Sequence, residues 1–237
     1  KLGTLNGPKF DIAVDPLEGT KFTAYGQPNA FSVLAISEKG CLLSAPDTYM
    51  EKIVIGSNLP NNLMDLDNSI EKNIKLLAEA KNKKTSEIKA CVLKRPRHDK
   101  IVEELTKMNV TINYITDGDI AGALSVIGDS PKNDVYYSTG GGPEGVIVAA
   151  ALSCYDGQIQ GRLVLNNEEK LRARKLGIKD FERKYNINDM IKGDVIFCAT
   201  GVTSGDLAMG VKDLGNEFEV NTFALHKSQN TINSFKN

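Results

Sequence analysis

Asp15 and Glu18 stand three residues apart in the run Asp15-Pro-Leu-Glu-Gly-Thr20. On a helical turn that spacing puts both carboxylates on one side. Adjacent carboxylates repel unless a cation lies between them, and their hard oxygens suit Mg2+ or Mn2+. Thr20 adds a hydroxyl able to orient a water or meet a phosphoryl oxygen. The same residues also fit a helix start, with Asp15 as N-cap, Pro16 at N1 and Glu18 at N3. The local sequence leaves both readings open.

A second group is Ser138-Thr-Gly-Gly-Gly-Pro-Glu-Gly145. Its glycines allow close backbone approach to a ligand, and Pro143 is placed to start a helix whose free N–H groups attract anions. Glu144 in the first turn is either a favourable helix-dipole contact or a metal ligand. Lys94-Arg-Pro-Arg97 is a compact cationic group at a strand end, either a solvated loop or a two-point phosphate grip. Thr116-Asp-Gly-Asp119 reads as a turn whose carboxylates could bind sugar hydroxyls. Tyr49 is a polar-tipped aromatic suited to a rim or to covering a sugar. His98 and His226 point to no chemistry alone. Neither a nucleophile elbow nor a Gly-x-x-x-x-Gly-Lys-[Ser/Thr] loop is present, which favours carboxylate–metal chemistry over covalent catalysis.

Five strand-like segments lead into these loops: Phe10–Val14, Ala90–Leu93, Val110–Ile115, Val135–Tyr137 and Val195–Ala199. Apolar spacing predicts helices over 98–108 and 70–81, a short helix over 120–127 capped by Asp117 or Asp119, and a buried helix over 143–155. Alternation of strand and helix over 88–200 implies a largely parallel α/β layer. Segments 31–37, 41–44 and 49–55 read instead as consecutive antiparallel strands, and 217–225 and 230–234 also read as strand. The expected organisation is an N-terminal lobe over 1–86, with a mixed or antiparallel sheet plus helix. A C-terminal α/β lobe follows over 87–237, its strands 215–237 returning to the sheet. Ligands bind beyond the carboxyl ends of such strands, so one cleft between the lobes is expected to collect all five loops.

The 237 residues suffice for a substantial core, and a net charge of −1 gives no bulk attraction to nucleic acid or membrane surfaces. Cys41, Cys91, Cys154 and Cys198 lie far apart in or beside apolar runs, as reduced cysteines packed like small hydrophobes in a cytosol-like compartment.

Six segments occur in order: Asp11–Thr20, Ala45–Lys52, Arg95–Asp99, Asp117–Asp119, Gly140–Gly145 and Ala199–Asp206. Together, and over nearly the whole chain, they resemble the bacterial-type class II fructose-1,6-bisphosphatases. A single segment would be shared with inositol-phosphatase relatives; the ordered set is more specific. The resemblance implies a layered α/β sugar-phosphatase fold, with two sheet-containing lobes and the active site in the cleft between them. It implies Mg2+- or Mn2+-dependent hydrolysis of the 1-phosphate of fructose 1,6-bisphosphate in gluconeogenesis. By the same resemblance Asp15, Glu18 and Glu144 are metal ligands, and Asp15, Glu18 and Thr20 are catalytic. Glu18, Gly19 and Thr20 face the scissile phosphate, while Tyr49, Arg95, Pro96, Arg97, Asp117, Gly118, Asp119 and Gly141 surround the substrate. A cytoplasmic homo-oligomer, dimer or tetramer, is implied. Alternatives are sedoheptulose 1,7-bisphosphate or inositol phosphate as substrate, or a non-catalytic sugar-phosphate-binding or assembly domain. The family more often has Lys at the position of Arg95 and Ala at that of Gly142. The chain begins Lys-Leu-Gly, and the family's first segment, with further metal ligands and a catalytic-site Lys, is expected upstream of it.

Overall fold

The computed structural model describes residues 6–229 and 231–236. In chain order the elements are β1 (Phe10–Glu18), α1 (Thr20–Ala24), β2 (Phe31–Glu38), β3 (Tyr49–Ile55), α2 (Ile70–Ala80), β4 (Lys89–Leu93) and α3 (Asp99–Lys107). Then follow β5 (Thr111–Ile115), α4 (Asp119–Leu124), β6 (Val135–Gly141), α5 (Gly142–Ser153), β7 (Gln158–Val164) and α6 (Asn167–Lys175). The chain ends with β8 (Lys184–Tyr185), α7 (Ile187–Met190), β9 (Val195–Gly201), β10 (Lys212–Asp213), β11 (Phe218–Glu219), β12 (Asn221–His226) and β13 (Thr231–Lys236).

Helix α5 organises the interior. Residues Gly145–Leu152 are buried without a polar face, and such a helix needs apolar neighbours all round. It lies between two sheets, packing on β1, β2 and β9 on one side and on β3, β6 and β7 on the other. The first sheet runs β1-β2-β9-β12-β13 and the second β5-β4-β6-β3-β7-β8. Phe31, Val33 and Ala35 of β2 and Phe197 and Ala199 of β9 face α5, as the period of two requires. On the far side of the second sheet, α2 and α3 cover Ile53, Ile55, Ala90, Val92 and Tyr137. The layers are therefore sheet, helix, sheet, helix, in agreement with the α/β fold class. Phe10, Ile12, Val14, Leu34 and Ile196 lie exposed on the other face of the first sheet.

Several expectations need correction. Segment 41–44 forms only a bridge between Leu42 and Ile191, and β3 does not follow β2 in one sheet. It inserts antiparallel between β6 and β7, because residues Lys52–Ile55 are buried throughout and need a central position. The second sheet is parallel only across β5-β4-β6; its other pairs are antiparallel. Helical crossovers link those three strands, whereas β3 and β7 arrive by other routes. The division at 86/87 does not coincide with the division between sheets, since β3 lies in the second and β9, β12 and β13 lie in the first. Both edges of β2 need partners, and β9, distant in sequence, supplies the second. The predicted helix over 120–127 begins at Asp119 with Gly118 at its N-cap, so neither Asp117 nor Asp119 caps it. Asn230 of the predicted last strand lies outside the described residues. The four cysteines are unpaired and buried or half-buried. Among the described residues no helix is long and apolar enough to cross a membrane.

Candidate active site

Strand β1 extends through Glu18, so Asp15 and Glu18 are not on a helical turn and the capping-box reading fails. The register against β2 shifts between Asp15 and Glu18, and the Asp15 carboxylate accepts the Leu17 N–H at 3.0 Å within this irregularity. Pro16 is tolerated there because β1 is an edge strand. The helix starts later, after Gly19 at φ 77°. Its cap comes from elsewhere: Asp117 Oδ2 accepts the Lys21 N–H at 3.0 Å. Phe22 of α1 fills the notch between Gly19 and Gly118, where a Cβ would stand 2.8 and 2.7 Å from its ring. Two left-handed glycines thus dock the first loop on the third.

Glu18 is 6% exposed and accepts the Ile120 N–H at 2.6 Å, at the start of α4. Burial pushes its carboxyl from the ordinary 4.5 up to about 9; the Ile120 N–H opposes this, and the negative charges of Asp119 and Asp15 add to it. Glu144 is raised too, first by burial, with Lys52 opposing and Asp119 and Asp15 reinforcing. Asp119, beside Ile120, is buried; Tyr136 and Ser138 donate to its Oδ1 at 2.5 and 2.7 Å, and Lys52 binds its Oδ2. Despite burial, those partners hold it below the usual carboxylate range. Lys52 also donates to the Gly141 carbonyl at 2.9 Å. The Glu144 carboxylate folds over Gly141 so closely that a Cβ there would lie 1.8 Å from Oε2.

Two expected results arise here. In metal-free protein the native state holds the Glu18 proton between pH 4.5 and about 9, where the unfolded chain has released it. Stability from this group is therefore complete below pH 4.5 and declines as pH rises, by at most about 1.4 kcal/mol per unit. Denaturant midpoints with chelator should fall over that range, and Glu18→Gln should flatten the slope. Separately, Gly141→Ala should displace the Glu144 carboxylate. Affinity for a divalent cation, read by calorimetry, should fall at least about tenfold, with unchanged far-UV circular dichroism.

Next to this acidic group lies a cationic one. His98 is buried, donates from Nδ1 to the Leu93 carbonyl at 2.5 Å and accepts the Thr139 N–H on Nε2 at 2.8 Å, which defines a neutral tautomer. Burial lowers its pKa, consistent with that state. The anchored turn presents Arg97, whose Nε donates to the Thr139 carbonyl at 2.7 Å while the guanidinium lies 4.7 Å from the exposed Tyr49 ring. Arg95 donates to the Thr116 carbonyl at 2.7 Å and approaches Asp117 at 3.7 Å. The fifth loop joins through the first sheet, where Gly201 lies opposite Phe31 and Phe31 opposite Glu18. Ala30 N–H to Thr203 Oγ1, at 3.0 Å, holds it there. Four of the loops thus meet beside the N-termini of α4 and α5, and the fifth adjoins the first at Ala30.

A cavity of about 500 Å3 lined by Ile55, Gln158, Asn186 and Lys227 lies toward the other end of β3 and shares no residue with this cluster. The charged cluster is the chemically equipped of the two. Its hard oxygen donors and raised carboxyl groups fit a divalent cation. Among the described residues no three acidic, His or Cys side chains already stand in ligand geometry.

A family model described as bacterial fructose-1,6-bisphosphatase, glpX-encoded, matches residues 1–237. The chain belongs to this family. It is 38% identical to fructose-1,6-bisphosphatase 1 class 2 of Escherichia coli K12, over 98% of this chain and 73% of that protein. Fructose-1,6-bisphosphatase class 2 of Haemophilus influenzae is 37% identical over 98% and 74%, and fructose-1,6-bisphosphatase 2 class 2 of Escherichia coli K12 is 33% identical over 98% and 77%. In this bisphosphatase-family chain Asp15, Glu18, Gly19, Thr20 and Glu144 lie around the acidic end. Tyr49, Arg95, Pro96 and Arg97 form the cationic end, and Asp117, Gly118 and Gly141 lie between. Asp119 differs from expectation: its carboxylate is engaged by Tyr136, Ser138 and Lys52 rather than turned toward a sugar. Lys52 and His98 received no role from sequence, although both fall inside the segments that carry the resemblance. Only burial of an otherwise surface-seeking residue reveals them.

Proposed function

We propose that this chain is a metal-dependent phosphoric monoester hydrolase that removes the 1-phosphate of fructose 1,6-bisphosphate, giving fructose 6-phosphate and phosphate in gluconeogenesis. Membership of the family along all 237 residues carries this reading. The acidic cluster beside two arginines supports it, because one end of the site suits a cation and the other a phosphate. Asp15, Glu18 and Glu144 would hold Mg2+ or Mn2+. When bound, such an ion lowers the pKa of a water and neutralises phosphoryl oxygens. Thr20 orients the water or leaving oxygen, and Gly19 leaves its backbone open to the scissile phosphate. Arg95 and Arg97 grip the distal phosphate, with Pro96 setting their turn, and Tyr49 covers the sugar. Asp117, Gly118 and Gly141 line the edge between. Binding the distal phosphate thereby orients the reacting end. A cytoplasmic homo-oligomer, dimer or tetramer, completes the reading on the strength of the resemblance.

The test is phosphate release by the purified protein with Mn2+ or Mg2+. Fructose 1,6-bisphosphate should release one phosphate per molecule and fructose 6-phosphate none. Fructose 1-phosphate, lacking the arginine contacts, should lose roughly 10–100-fold in kcat/KM. Preference for sedoheptulose 1,7-bisphosphate or an inositol phosphate would reassign the substrate. Binding without turnover of any sugar phosphate would overturn catalysis.

A further inference from the structure

We propose that Lys52 is a positioning residue that sets the separation of the Glu18 and Glu144 carboxylates. It does so by clamping the first turn of α4 to the chain entering α5. The proposal rests on the hydrolase reading above for its kinetic readout, though not for its binding readout.

Lys52 projects from β3, a central strand, and its side chain is fully buried. Lysine is almost never buried without a partner, and an apolar residue of similar volume avoids the desolvation cost. Its ammonium joins two elements that are distant in sequence: Asp119 Oδ2 at the start of α4 and, at 2.9 Å, the carbonyl of Gly141 before α5. Each contact leads directly to one candidate ligand. Ile120, next to Asp119, donates its N–H to Glu18 at 2.6 Å. Gly141 lies directly beneath the Glu144 carboxylate. Both supports therefore converge on one ammonium. Neutralising Asp119 is not the whole role, since the bond to the Gly141 carbonyl does nothing for that charge.

Lys52→Met with Asp119→Asn tests this, because it removes both buried charges together and spares the fold an unpaired ion. Mn2+ affinity, read by calorimetry without substrate, should weaken about 10–100-fold, as for loss of a residue that orients metal ligands. The kcat should fall at least about tenfold, with KM for the bisphosphate within about threefold, because the arginine end is untouched. Lys52→Gln with Asp119→Asn restores an N–H donor for the Gly141 carbonyl and should recover part of both losses. Wild-type Mn2+ affinity and turnover in the double variants would overturn the proposal. An inactive wild type that still shows the Mn2+ difference would overturn only the hydrolase reading. If the variants do not fold, hydrogen exchange on the wild type decides. Mn2+ should protect the amides of 118–120 and those of Gly141, Gly142, Glu144 and Gly145 together, and protection of one segment alone would overturn the clamp.

Discussion

Glu144→Gln is expected to lower metal-dependent phosphate release from fructose 1,6-bisphosphate by about 10³-fold while leaving the fold intact. Glu144 stands in the first turn of α5, where burial and the charges of Asp15 and Asp119 disfavour its ionised form. Lys52 offsets that only in part. The amide keeps the size and removes the charge. In metal-free protein the change should be neutral or stabilising, since it relieves repulsion and desolvation. On the proposed role of Glu144 as a metal ligand, the change with Mn2+ present should remove a hard anionic donor, and several kcal/mol of charge stabilisation with it. Activity and stability should therefore move in opposite directions, as expected where a functional group is held against its local preference. Phosphate assays with Mn2+, paired with thermal melts in chelator, measure both. Unchanged release removes Glu144 from the metal site.

The largest loss of stability is expected from Asp119→Ala. That change strips the Lys52 ammonium of its counter-charge inside the protein and takes an acceptor from Tyr136 and Ser138. Breaking one side of a buried pair costs about 3–5 kcal/mol. For a chain of this size that is a fall in Tm of about 6–20 °C. The comparison should be made in chelator, so that lost metal binding does not contribute. A shift under 2 °C would mean that water reaches Lys52 and that the pair is not truly interior. Asp134 provides a contrast. It pairs with Lys81 and Lys83, whose side chains are partly exposed, and removing one of those lysines should cost at most about 1 kcal/mol.

Much of the framework was legible in the sequence. The all-apolar run from Gly145 to Leu152 declares a buried helix, because no face of it is content in water. The spacing of Ile70, Ile74, Leu77 and Ala78 declares a one-sided helix, and α2 is one, with Ser69 accepting the Lys72 N–H at its start. Helix α6 carried a readable signal that was missed. Asn166 and Glu169 form a reciprocal capping box three residues apart. The Asp15–Thr20 run misled for the opposite reason. It has the residues of a capping box, yet pairing with β2 extends the strand through Glu18 and moves the helix start to Thr20.

The sequence by itself determined which chemical groups are present, their order, and which short stretches favour strand or helix, because those properties depend on near neighbours. It also placed the glycines, arginines and carboxylates in loops after strands, which was enough to expect one shared site. Only the tertiary structure decided that β3 enters the second sheet and β9 the first, since strand pairing is settled by which distant edge offers a partner. The same long-range packing turned Asp119 inward, brought Asp117 to cap α1 and buried Lys52 between two loops. No local period records such contacts, because each joins residues far beyond one turn or one strand apart.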